Sequence, residues 1–87
     1  MMIIYNVFKF EKSSIPNSEV KHITGYYGTF GKMENAEIVR NNEEKKMRDF
    51  HDEINKKLFK RDPEKLPEFK KTQREKYTIE IQECEVL

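Results

Sequence analysis

His22, His51 and Cys84 are the only histidines and cysteine of this 87-residue chain, the side chains that most often ligate a structural metal. A structural metal site gathers such ligands at short, repeated spacings, and no two of these residues stand in that relation. The segment Gly25-Tyr-Tyr-Gly-Thr-Phe-Gly31 has the glycines of a phosphate loop but lacks its lysine–hydroxyl pair. It reads as turn and bulge chemistry instead. Cys84 and the histidines form no nucleophile–base pattern, and Cys84 is expected to be a buried, inert thiol in a terminal strand. Paired carboxylates need a cleft, for which so short a chain has little room. The expectation is a non-enzymatic protein with no catalytic residues, no metal and no cofactor.

Charge is the more informative chemistry. The chain carries 17 basic and 16 acidic side chains for a net charge of +1, which hides a strong asymmetry. Between Lys56 and Lys76 lie nine basic residues against Asp62, Glu64, Glu68 and Glu75, a net +5. The remaining chain is therefore net −4. A basic segment can track a phosphate backbone or an acidic protein surface, or simply cap the negative end of a helix. Lys56, Lys60, Arg61, Lys70, Lys71 and Arg74 are the candidate partner-binding residues within it. Tyr26 is added as an aromatic anchor, because Tyr and Arg are favoured at interface hot spots. The acids Glu34, Glu37, Glu43, Glu44, Asp49, Asp52 and Glu53 are interspersed with lysines and describe a solvated helix face.

These residues must be positioned by a thin core. The hydrophobic fraction is 36% against 38% charged, so one small domain over residues 1–87 is expected. A lone cysteine excludes an internal disulfide, and no apolar run is long enough to span a bilayer. Met1 to Phe10 lacks the basic flank and cleavage site of a signal peptide, which favours a cytoplasmic protein.

Met2 to Phe10 is rich in β-branched and aromatic residues on both faces and predicts a central strand. Glu11 to Glu19, with Pro16 and Asn17, predicts a polar turn. Val20 to Thr29 predicts a second strand with Ile23 and Tyr27 on one face and His22 and Tyr26 on the other. Met33, Ala36, Val39, Met47, Phe50, Ile54 and Leu58 recur at three and four and predict a long helix. Asn41-Asn42 are poor helix formers, so a break there is a second reading. Asp62-Pro63 ends the helix, and Pro63 to Lys76 reads as an irregular basic connection. Tyr77, Ile79 and Ile81 alternate with polar residues and predict a terminal strand.

The expected fold class is α+β in the order β-β-α-β, a small antiparallel sheet covered on one face by a long or broken helix. Its core is expected to hold Tyr5, Val7, Ile23, Tyr27, Phe30, Ala36, Met47, Phe50, Ile54, Leu58, Ile79 and Ile81. The other face would leave Phe8, Phe10, His22 and Tyr26 uncovered, which favours a homodimer formed through the sheet.

Tyr5-Asn-Val7, then Gly28-Thr-Phe30 leading into Met33-Glu-Asn-Ala36-Glu-Ile38, then Tyr77-Thr-Ile-Glu-Ile81 resemble a known group. These are very small accessory proteins of bacteriophages and prophages, and the likeness covers about half of the chain. The resemblance implies a viral protein that binds a host protein and modulates it, as an inhibitor of a defence or nucleic-acid-processing enzyme. A nucleic-acid-binding module using the basic 56–76 segment is the alternative.

Overall fold

The computed structural model describes residues 2–15 and 17–87. Strand β1 (Met2–Lys12) is followed by β2 (Lys21–Phe30), helix α1 (Met33–Leu58), a 3-10 turn at Pro63–Lys65, helix α2 (Leu66–Lys76) and β3 (Tyr77–Val86). The three strands form one antiparallel sheet in the order β2-β1-β3, so the first strand is central and the last lies beside it. The small α+β class is as expected, with one helix more than the sequence suggested.

The turn between β1 and β2 is closed by Ser13 N–H donating to the Val20 carbonyl at 2.8 Å. Asn17 takes the left-handed conformation there (φ 65°), which Asn tolerates better than other side chains. Pro16, expected to punctuate this turn, lies outside the described residues.

One face of the sheet carries the helices. Val7 and Ala36 are fully enclosed and meet Met47 and Ile79, with Tyr5, Tyr27, Phe30, Val39, Tyr77 and Ile81 packed around them. Gly25 and Gly28 on β2 make room on this face. The Tyr27 ring lies over Gly25, and the Phe30 ring lies so close to Gly28 that a Cβ would sit 2.9 Å from it. Gly28 also has φ +138°, a backbone conformation that side chains rarely adopt. Each edge-strand glycine is thus covered by an aromatic ring from its own strand, which restores apolar cover where no side chain exists.

Helix α1 lies on the sheet only as far as His51. From Asp52 onward its partners belong to α2: Asp52 meets Lys70, Asn55 meets Gln73, and Phe59 stacks on Phe69 with centroids 4.9 Å apart. The two helices form an antiparallel arm that leads back into β3 at Tyr77. An eleven-residue strand is about 36 Å long, whereas the molecule measures 55 × 28 × 15 Å. The arm accounts for the difference.

Several expectations are corrected by this arrangement. Helix α1 runs unbroken through Asn41-Asn42, both of which face solvent. Their cost is a propensity term of a few tenths of a kcal/mol each, too small to open a packed helix. Pro63 to Lys76 is helical rather than irregular, because Pro63 and Pro67 occupy first-turn positions where no N–H is needed. Phe50 and Leu58 are 60% and 65% exposed: His51 rather than Phe50 turns its ring to Tyr77 of the sheet, and by Leu58 the helix has left the sheet for α2. Ile23 is 56% exposed on the uncovered side, and Cys84 is exposed on the same side of edge strand β3.

Candidate functional site

The uncovered sheet face is built by the strand register. On β1 it carries Met2, Ile4, Asn6, Phe8, Phe10 and Lys12; opposite them on β3 stand Val86, Cys84, Gln82, Glu80 and Thr78. On β2 the register is shifted twice, between Val7 and Phe8 and between Lys9 and Phe10. Each shift is a bulge that lets one residue of β2 slip out of the alternation. The skipped residues are Tyr27, which turns into the core, and Thr24. As a result Tyr26 stands opposite Phe8 and Ile23 opposite Phe10, on one face instead of two. His22, expected beside Tyr26, instead opposes Glu11.

The aromatic cluster that follows is compact. Phe8 meets Tyr26 at 5.5 Å and Phe10 at 6.2 Å between ring centroids. A polar chain borders it. The Thr29 hydroxyl donates to Asn6 Oδ1 at 2.5 Å, so the Tyr26 hydroxyl is left to donate to Thr29. That fixes the Tyr26 ring while leaving it 58% exposed.

A charged strap crosses the same face. Lys21 on β2 reaches over the Phe10 ring, 5.8 Å from its centroid, to Glu80 on β3 at 3.0 Å. The Thr78 hydroxyl also donates to Glu80 at 2.7 Å, and the two hydrogen bonds hold the Glu80 carboxyl below its usual range. The strap leaves Phe10 only 8% exposed. As a half-exposed pair it contributes less than about 1 kcal/mol, so its main effect is to divide the face. Beyond it, Phe8, Tyr26, Ile4 and Met2 form the accessible apolar part.

Among the described residues of the strands, Lys12, Lys21 and Glu80 are the charged ones on this face, and two of those three pair with each other. In a chain that is 38% charged, the face is depleted in charge, as interface cores are.

The basic residues lie in the other layer. Lys56 is in the exposed last turn of α1, Lys60 and Arg61 are in the exposed link to the 3-10 turn, and Lys71 and Arg74 are exposed on α2. Lys70 is half-buried and bridges to Asp52 at 3.4 Å. Among the described residues none of the other five forms an ion pair. The structure gathers all six on the arm but separates them from Tyr26, which stands on the opposite side of the sheet.

Where the arm meets the sheet, Tyr77 is ringed by bases that the sequence did not bring together. His51 packs against its ring at 5.3 Å, Lys9 and Lys76 approach it at 5.7 and 5.5 Å, and Arg48 Nη2 donates to its carbonyl at 3.1 Å. Burial, then the charges of Arg48 and Lys9, push the His51 imidazole below its ordinary value. On the core side, burial and then Glu43 push the Tyr27 phenol upward.

Among the described residues no three His, Cys, Asp or Glu side chains come together to hold a metal ion, and no helix is long and apolar enough to cross a membrane. No family model, curated protein or solved structure matches this chain.

Proposed function

We propose that this is a binding protein without catalytic activity that docks on another protein through the uncovered sheet face and modulates it. The observation that carries this reading is the charge-depleted face around Phe8 and Tyr26. Its chemistry asks for an apolar partner surface of low charge, with a hydrogen-bond acceptor or donor within reach of the Tyr26–Thr29–Asn6 chain. Three strands of this length present about 500 Å² of flat area, and side-chain relief adds to the surface that docking would bury. A partner protein can also wrap the sheet edges. The resemblance to phage accessory proteins supports a host protein as that partner, with inhibition as the outcome. An unpaired, exposed Cys84 fits a reducing compartment such as the host cytoplasm.

Immobilised protein is expected to retain from an extract of the source cell a protein that a Phe8→Lys/Tyr26→Lys variant does not. Light scattering supplies the alternative occupant. A mass twice 10.6 kDa that the same variant halves would make a second copy the occupant and overturn the reading.

A second reading rests on the arm, where Lys56, Lys60, Arg61, Lys71 and Arg74 form no ion pair among the described residues. It makes the protein a nucleic-acid binder. Filter binding decides this: retention of DNA or RNA that falls roughly a thousandfold between 50 and 200 mM salt supports it. No retention at micromolar protein eliminates it.

A further inference from the structure

The sheet has two edges, and they are built differently. Strand β2 has two bulges, two glycines and Lys21 at its start, and bulges and lysines keep an edge from pairing with another chain. Strand β3 pairs with β1 over ten residues without a register shift, and Tyr77–Val86 contains no Gly, Pro, Lys or Arg.

Tyr77 fixes which backbone groups of β3 face outward. Its N–H donates to the Gln73 carbonyl and its carbonyl accepts from Arg48 Nη2 at 3.1 Å, so both are turned away from β1. In an antiparallel ladder the N–H and C=O of one residue point to the same side, and the side alternates along the strand. The groups of Ile79, Ile81, Glu83 and Glu85 therefore face the open edge, while those of Gln82 and Cys84 face β1. Among the described residues the Cys84 thiol touches the Glu85 carbonyl at 3.7 Å, and no other hydrogen bond ends on these outward groups. Gln82 to Val86 are all exposed. Nearer Tyr77, a hollow of about 320 Å³ is walled by Lys21, Glu44 and Arg48 and by Thr78, Ile79 and Glu80 in succession. Successive strand residues face opposite sides, so a space bordered by all three runs along the edge.

This edge is acidic. Glu44, Glu83 and Glu85 form no ion pair among the described residues. The bases beside it are engaged already, Lys21 on Glu80 and Arg48 on the Tyr77 carbonyl. A second copy of β3 would bring the same acids into one ladder, where like charges repel.

We propose that the open edge of β3 takes up an extended segment of a partner protein as a fourth strand, with Lys or Arg of that segment opposite Glu83 and Glu85 and an apolar residue opposite Ile81. Aligned antiparallel, the segment reads basic-x-basic-x-apolar. Main-chain hydrogen bonds supply the affinity, and the alternate side chains select the segment.

The test uses the intact protein and a capped peptide, Lys-Thr-Lys-Thr-Val-Thr, with amide hydrogen exchange followed by NMR. Saturating peptide should slow exchange at Ile81, Glu83 and Glu85 by about tenfold or more, while Gln82 and Cys84, already bonded to β1, change little. N-methylation of the second Lys and the Val should abolish binding, and N-methylation of the Thr residues should not. Glutamates in place of the lysines should weaken binding about tenfold, and Glu83→Lys/Glu85→Lys should reverse that preference. Unchanged exchange at millimolar peptide means that the acids merely blunt the edge, and it overturns the proposal. Equal binding of the basic and acidic peptides, or of the two N-methylated ones, overturns it as well. So does protection of the same amides without peptide in a species of twice 10.6 kDa, which makes a second copy the fourth strand. Phe8→Lys/Tyr26→Lys leaves every edge residue in place, so the edge and the sheet face are tested separately.

Discussion

Asn55 Nδ2 donates to Gln73 Oε1 at 2.9 Å, and Gln73 Nε2 returns to Asn55 Oδ1 at 3.5 Å, so two amides close on each other between the helices of the arm. Asn55 is 1% exposed, in a seam whose apolar part is little more than Phe59 on Phe69. A paired amide in an apolar seam sets register, because any slip of one helix leaves both amides buried without partners.

Asn55→Ala should therefore destabilise the protein by about 2 kcal/mol, since it leaves the Gln73 amide unpaired. Asn55→Leu/Gln73→Leu should lose less than the single substitution, because both polar groups leave together. Urea unfolding of the three proteins checks this, and an Asn55→Ala variant as stable as the parent would contradict it.

Gly28→Ala should cost about 1–3 kcal/mol, because it combines a disfavoured φ of +138° with a Cβ 2.9 Å from the Phe30 ring. Gly31→Ala is the control, since nothing lies within 4 Å of a Cβ built there. Thermal melts of the pair should separate clearly, with Gly31→Ala at or slightly above the parent.

How much of this was legible depends on whether the signal was local. Tyr77, Ile79 and Ile81 announced β3, and Val7, Ala36 and Met47 were readable as core from their spacing. Ile23 was not, because the bulge at Thr24 brings it onto the same face as Tyr26, and one inserted residue reverses every side chain beyond it. Phe50 and Leu58 continue the helical stripe, but no periodicity says where the sheet beneath it ends. Helix α2 was missed because its prolines read as breakers, although prolines in the first turn start helices. For the site, Phe8 and Tyr26 were visible as exposed aromatics. The Lys21–Glu80 strap joins residues 59 apart in the chain and leaves no local trace.

Stability should fall in two steps as the solution is acidified. His51 is held below its ordinary value of about 6.5 in the folded state, so the unfolded chain takes up its proton first. Its contribution is complete above pH 6.5 and is lost as pH falls through the lower folded value. Glu80, also depressed, adds a second loss below its ordinary 4.5. Unfolding free energies measured from pH 8 to 3 should show both, and His51→Phe, which keeps the ring against Tyr77, should remove only the first.

The proposed partner meets the sheet face and not the arm. Photo-crosslinking tests it most directly, with benzoylphenylalanine placed at Tyr26 in one protein and at Lys71 in another. Both positions are exposed, and they lie on opposite layers. Irradiated in an extract of the source cell, the probe at position 26 should give one discrete protein adduct, and the probe at position 71 none. Adducts from position 71 alone, or an adduct from position 26 that is two copies of this chain, would contradict the account.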